Sequence, residues 1–330
     1  MRLVIPAWRR GFFRAFGSIA DWGVRLDAPV ALWWKDMPTK SPDEGTTVEE
    51  LRRRWPTLEI LNAMQVRRED RLLGLTGGPA AATVICDHLW DMLNLPRTLP
   101  VLRCYTSSYQ QSQHGETGVV TGMPGLDAVQ KRITGWQGVW AVYGPKWRVG
   151  RPWTWPWVHR LLTWPLFVLQ FAMIRQEARR QDVRLVLKVR AKDHTPRAII
   201  RLADEIVTDS DLYPHRGLNL CHSVDLVIHW QSGVVFEAAA VGVPQVALQT
   251  SHDYLAAYPW TSWLYESNRL GLPFVWPGVV ETVQTRRLRD ALQNADVDRS
   301  ALAEYRDVYC GPLDGESGKR VIEAVISQKP

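Results

Sequence analysis

A single carboxylate interrupts an otherwise apolar stretch of this 330-residue chain. Residues 227–248 read VIHWQSGVVFEAAAVGVPQVAL: an apolar run, then Gln231-Ser232-Gly233, then an Ala-rich segment holding Glu237. Gly-Val-Pro follows and leads into a second apolar run. The continuous DLVI before His229 predicts a buried strand of a parallel sheet, and GVVFEAAAVG (233–242) predicts the helix after it. In open parallel sheets the ligand crevice lies outside the carboxyl ends of the strands. A helix that starts there offers free N–H groups and a partial positive charge, which suit a phosphate. Ser232 is the expected N-cap, and Gly233 lets a ligand approach the backbone.

Capping does not account for Glu237. With Ser232 as N-cap, a capping-box Glu belongs at position 235, which is Val. No cationic residue lies three or four positions away to pair with it on the helix. A buried carboxylate needs a polar partner, and a ribose would supply two hydroxyls. The alternative is an exposed Glu on the helix's one wet face.

Other residues suited to the same chemistry also follow apolar runs. Lys146 and Arg148 come after GVWAVYGP, while Lys188 and Arg190 both lie in RLVLKVR, at and just beyond the end of its apolar run. Together with Gln231 and the amides of Ser232 and Gly233, they would hold a nucleotide diphosphate and stabilise its charge on departure. An acceptor hydroxyl needs a general base, and Asp87 with His88, after ATVIC, is the candidate pair. His114 and Asp21 are alternatives, and Arg10 with Gly11 would line the first loop. Two D-x-D triplets, Asp209-Ser-Asp211 and Asp296-Val-Asp298, are of a kind common by chance, so no metal site is assigned. No P-loop, G-x-G-x-x-G, H-E-x-x-H or EF-hand pattern occurs.

These residues must be positioned by strands alternating with helices, the pattern of parallel sheets with crossovers. RLVIPAW (2–8) and VALWW (30–34) read as strands around a helix at 11–26, and 36–50 reads as a charged loop. Short apolar runs follow at 72–75, 82–86 and 100–104, and 119–129 reads as a strand ending in a turn. A second series has strands at 138–148, 181–193, 223–230 and 243–249, with helices at 197–206, 233–242 and 288–294. The expected division is an acceptor-side domain over 1–135 and a donor domain over 136–330. The final helices, within 301–309 and 319–327, are expected to pack back on the first.

Composition narrows the class. An apolar fraction of 46% is that of a globular protein. Four cysteines without a C-x-x-C pair argue against a zinc knuckle or disulfide framework and for a reducing, cytoplasmic setting. A net charge of +6 is compatible with anionic partners. Many of the 17 tryptophans cluster between Trp136 and Trp164. The apolar part of that region, Leu161 to Ile174, is about 14 residues, short of the ~20 of a transmembrane span. Flanked by Trp and Arg, 153–174 suits either a helix covering the sheet or peripheral contact with the inner membrane face.

The stretch VDLVIHWQSGVVFEAAAVGVPQVAL resembles the nucleotide-binding signature of the C-terminal domain in GT-B-type glycosyltransferases. CDP-glycerol glycerophosphotransferases and UDP-N-acetylglucosamine 2-epimerases share it. VWAVYGPKWR and VRLVLKVRAKD are similar to two upstream glycerophosphotransferase motifs. VTGMPGLD resembles the "TG-x-P-x-x-D" turn that closes the N-terminal domain. Arg190-Ala191 stands where the glycerophosphotransferases have His-Pro, and His229-Trp230-Gln231-Ser232 where they have Asp-Tyr-Ser-Ser. The resemblance implies an α/β fold of two Rossmann-like domains facing a cleft and a metal-independent transfer from a UDP-sugar. The acceptor would be a hydroxymethylated DNA base or a membrane-associated, lipid-linked glycan. The same fold also hosts glycerophosphotransfer, epimerisation, hydrolysis and non-catalytic nucleotide binding.

Overall fold

A computed structural model describes residues 2–36, 45–62, 64–66, 70–75, 83–86, 102–114, 118–130, 132–133, 135–144, 157–189, 195–208, 211–230, 232–248 and 273–327. The chain forms two compact units. Met1–Val129, Ser210–His215 and Arg306–Pro330 make the first, while Gln130–Asp209 and Arg216–Tyr305 make the second.

The described elements run β1 Leu3–Pro6, α1 Arg10–Arg25, β2 Val30–Trp33, α2 Val48–Arg54, β3 Glu59–Leu61, β4 Arg71–Leu75, β5 Thr83–Cys86, β6 Leu102–Tyr105, α3 Ser108–His114 and β7 Val119–Val120. They continue with β8 Val139–Tyr143, α4 Trp157–Arg180, β9 Arg184–Lys188, α5 Arg197–Ile200, β10 Glu205–Val207, α6 Arg216–His222, β11 Leu226–His229, α7 Val234–Val241 and β12 Gln245–Leu248. The last are β13 Thr282–Val283, α8 Leu288–Gln293, α9 Arg299–Tyr309 and α10 Ser317–Ser327.

In the first unit the strand order is β3-β2-β1-β4-β5-β6-β7. The first four are mutually parallel, but β5 runs antiparallel to β4 and to β6. Phe13, Phe16, Ile19 and Ala20 recur at helical spacing on α1 and bury one face of that helix in the core. Val321, Ile322 and Val325 of α10 join the same core, as does Tyr213 from the short segment 210–215. Position 17 must be Gly, because a Cβ there would lie 2.3 Å from the Tyr213 ring. Helix α2 starts inside the stretch read as a charged loop. A full capping box forms it: Thr47 Oγ1 accepts from Glu50 N–H (3.2 Å) and Glu50 Oε2 accepts from Thr47 N–H (3.0 Å).

The TGMPGLD turn closes this unit by a contact far away in sequence. Asp127 Oδ1 accepts the Ser317 N–H (2.9 Å) and Oδ2 the Gly318 N–H (2.7 Å), satisfying two amides at the start of α10. The Ser18 hydroxyl of α1 donates to the same carboxylate. One aspartate therefore ties α1, the turn and α10 together.

In the second unit the order is β10-β9-β8-β11-β12-β13, and every described pairing is parallel. This is the doubly wound 3-2-1-4-5-6 arrangement, with its topological switch point between β8 and β11. The expected helix at 197–206 is shorter. It stops after α5 because Asp204 is used elsewhere, its Oδ2 accepting the Leu185 N–H (2.8 Å) and its Oδ1 the Arg175 guanidinium (2.6 Å). Residues 205–207 then join the sheet as β10.

Helix α4 contains most of the Trp- and Arg-flanked segment. Phe167, Phe171, Ile174 and Ala178 are buried in the second unit's core. These apolar side chains pack in that core, as a helix covering the sheet requires, while Leu169 of the same helix is exposed. No helix among the described residues is long and apolar enough to cross a membrane. Cys104, Cys221 and Cys310 are buried free thiols.

Candidate functional site

The site is built where β11 ends and α7 begins, beside the switch point. Register places His229 opposite Tyr143 of β8 on one side and Ala247 of β12 on the other. Tyr143 in turn pairs with Lys188 of β9. Lys188 and the His229–Gly233 turn therefore lie on the carboxyl edge of one sheet. Lys188 is only 7% exposed.

His229 organises the turn. Its ring is fully buried, and its Nδ1 accepts the Ser232 N–H at 3.2 Å. That bond leaves the ring proton on Nε2, which donates to Gln245 Oε1 (3.2 Å). Gln245 Nε2 donates in turn to the Val235 carbonyl (3.4 Å), joining β11, the turn, α7 and β12. Burial holds the His229 pKa down to about 4, so the network is neutral at pH 7. Trp230, the next residue, is held by α4: its Nε1 donates to Gln170 Oε1 (2.7 Å), and Phe171 stacks on it with rings 6.4 Å apart.

Ser232 differs from its expected role. The N-cap of α7 is Gly233, without a side-chain cap, and the Ser232 N–H is taken by His229. Val235 and Phe236 bond back to the carbonyls of Ser232 and Gly233 (3.1 and 3.3 Å). Among the described residues, the Gly233 and Val234 N–H groups are the ones at this turn with no acceptor. No sequence signal marked this, although a lone His closing an apolar strand was available as one.

Glu237 sits in the first turn of α7 and is 4% exposed. The wet-face alternative is thereby excluded, because α7 is buried nearly all round. A carboxylate in the first turn is favoured by the helix dipole. At the other end Gly242 takes φ +82°, which suits Gly, and its N–H bonds to Ala238 and Ala239 carbonyls (2.8 and 3.1 Å). Pro244 then opens β12, accepting the Val227 N–H at 2.9 Å. The Gly-Val-Pro element thus reverses the chain from helix to strand.

Asp87, His88, Lys146, Arg148, Arg190 and Gln231 lie outside the described residues. Because β5 is antiparallel, Cys86 opposes Leu72 at the start of β4, the amino-terminal edge of the parallel strands. Asp21 is committed to structure, its Oδ1 accepting from Trp55 Nε1 (2.7 Å) and its Oδ2 from Arg54 (2.8 Å). Arg10 is ion-paired with Glu50. In the second D-x-D triplet, Asp298 Oδ1 accepts the Ser300 and Ala301 N–H groups (2.7 and 3.1 Å), a cap for α9.

No family model matches the chain, and no curated protein matches it. Solved structures do. A structure of the wall teichoic acid polymerase TagF with CDPG is 12% identical with a TM-score of 0.56, over 99% of this chain and 88% of that one. The S. aureus MnaA–UDP co-structure is 10% identical with a TM-score of 0.51, over 100% and 99%. A Listeria monocytogenes protein assigned as a UDP-N-acetylglucosamine 2-epimerase is 13% identical with a TM-score of 0.51, over 99% and 95%. At these identities the likeness shows the fold, and the chain is GT-B-like in architecture, as its motifs implied.

Proposed function

We propose that the second unit binds a nucleoside-diphosphate sugar, with UDP as the nucleotide, and that the chain is a glycosyltransferase acting on an acceptor hydroxyl. One observation carries this reading: a buried Glu237 in the first turn of α7, at the carboxyl edge of the switch-point strand. Glu237 accepts hydrogen bonds from the ribose hydroxyls. The Gly233 and Val234 amides and the dipole of α7 receive the diphosphate, and Lys188 supplies positive charge on the same edge. As the glycosidic bond breaks, charge grows on the leaving diphosphate, and these groups stabilise it without requiring a metal. The neutral His229 network holds the turn in place before substrate arrives, so little reorganisation is needed. Two of the fold's neighbours, the TagF structure with CDPG and the MnaA–UDP co-structure, support a nucleotide here.

A thermal-shift panel of UDP, CDP, GDP, ADP and TDP tests the reading. A ligand at ~100 times its Kd adds about 2.7 kcal/mol of stability. UDP is expected to raise the melting temperature most, and a panel without any shift contradicts the proposal. Turnover then separates the chemistries. A transferase leaves UDP-sugar nearly untouched until an acceptor is added, whereas an epimerase or hydrolase consumes it alone. A duplex-DNA acceptor further requires affinity that falls steeply with salt.

A further inference from the structure

We propose that Lys35, Trp8 and Trp33 form an oxyanion-binding site in the first unit, recognising a phosphate or carboxylate on a sugar-bearing second substrate. Trp8 follows β1 and Lys35 follows β2, so both lie at the carboxyl edge of parallel strands. Backbone bonds fix them there: Ala7 N–H donates to Trp33 O (2.8 Å) and Trp34 N–H to Leu61 O (2.9 Å). The Lys35 ammonium stands 4.3 Å from the Trp8 ring centroid and 5.1 Å from that of Trp33. The two indoles meet edge to face at 4.7 Å.

Two features mark this cluster as built for a ligand. Among the described residues no carboxylate pairs with Lys35, and partial burial, with the like charge of Arg9, depresses its pKa. A partly desolvated ammonium is favoured in its charged form by a nearby anion. Trp33 is 3% exposed, yet its Nε1 is buried with no hydrogen-bond partner among the described residues. An unmade bond of that kind is costly and is relieved by an acceptor oxygen. The flat face of Trp8 suits a sugar ring beside the anion. The site's role as an acceptor anchor rests on the transferase reading, whereas its anion binding does not.

The test uses the full chain saturated with UDP, so that the nucleotide site is not available. Glucose 6-phosphate, glucuronate and glucose are titrated by calorimetry, and UDP binding is recorded separately. Either charged sugar is expected to bind about tenfold or more tighter than glucose, with the stronger of the two naming the anion. Lys35→Ala should lose that advantage, Lys35→Arg should keep most of it, and both should leave UDP binding unchanged. Glucose binding as tightly as the charged sugars, or Lys35→Ala keeping their affinity, overturns the site. If UDP fails to bind while the charged sugars bind through Lys35, the donor reading fails and the anion site stands.

Discussion

The two sheets start alike and part at the fifth strand. Each lays its third, second, first and fourth strands side by side in parallel, but only the second unit continues in that sense. There, any residue following a strand is on one edge, so Lys188 and the His229–Gly233 turn converge without further information. In the first unit β5 is reversed. The carboxyl end of β5, at Cys86, consequently lies at the opposite edge from those of β1 and β2. Strand direction governs which loop chemistry can meet, and a four-residue apolar run does not encode it.

The two helix starts sharpen the contrast. The N-terminus of α10 is filled by the Asp127 carboxylate, while that of α7 is capped by Gly233 alone. One is closed by a carboxylate from a distant turn, and the other carries no side-chain cap. Variants that exchange these properties test the distinction.

The largest effect is expected in the first unit at Gly311, which has φ +70° and whose added Cβ would lie 1.8 Å from Thr106 O. Gly311→Ala combines left-handed strain with a backbone clash and should cost roughly 4 kcal/mol or more. Denaturant unfolding measures this, and a cost below ~1 kcal/mol refutes the packing described. Next comes the pH response of the second unit. His229 has a folded pKa of about 4 against 6.5 unfolded. Its contribution is complete above pH 6.5 and is lost as pH falls toward 4, because the unfolded chain then binds the extra proton. The loss is about 3 kcal/mol, and His229→Gln should flatten it. A smaller effect follows from Asp127→Ala, which exposes two helix amides and the Ser18 hydroxyl for about 2 kcal/mol, with UDP affinity unchanged. Smallest is Lys188→Ala, expected to weaken UDP about tenfold in titration calorimetry and UMP much less.

Much of this was legible where the code is local. Apolar runs located the strands, and Gly242 and Pro244 announced the helix-to-strand reversal because each acts on its own backbone. Glu237 was identifiable because no neighbour in its helix could account for a carboxylate. The rest depends on partners distant in sequence. Asp127 caps a helix 190 residues later. Tyr213 joins the first unit because it fits over Gly17, which no spacing rule reveals. Ser232 looked like a cap because His229, three residues earlier, had been read only as a departure from a motif. Its buried Nδ1 takes the Ser232 amide and moves the cap to Gly233. Composition left the segment 153–174 open between a sheet-covering helix and a surface helix, since Trp and Phe suit a core as well as an interface.

The most direct measurement is a two-by-two calorimetric cycle of wild type and Glu237→Gln against UDP and 2′,3′-dideoxy-UDP. If the carboxylate holds the ribose, the substitution weakens UDP about 100-fold and leaves dideoxy-UDP, already weak, nearly unchanged. If the two losses simply add, or if Glu237→Gln binds UDP like wild type, Glu237 is not the ribose contact and the proposed donor site is contradicted.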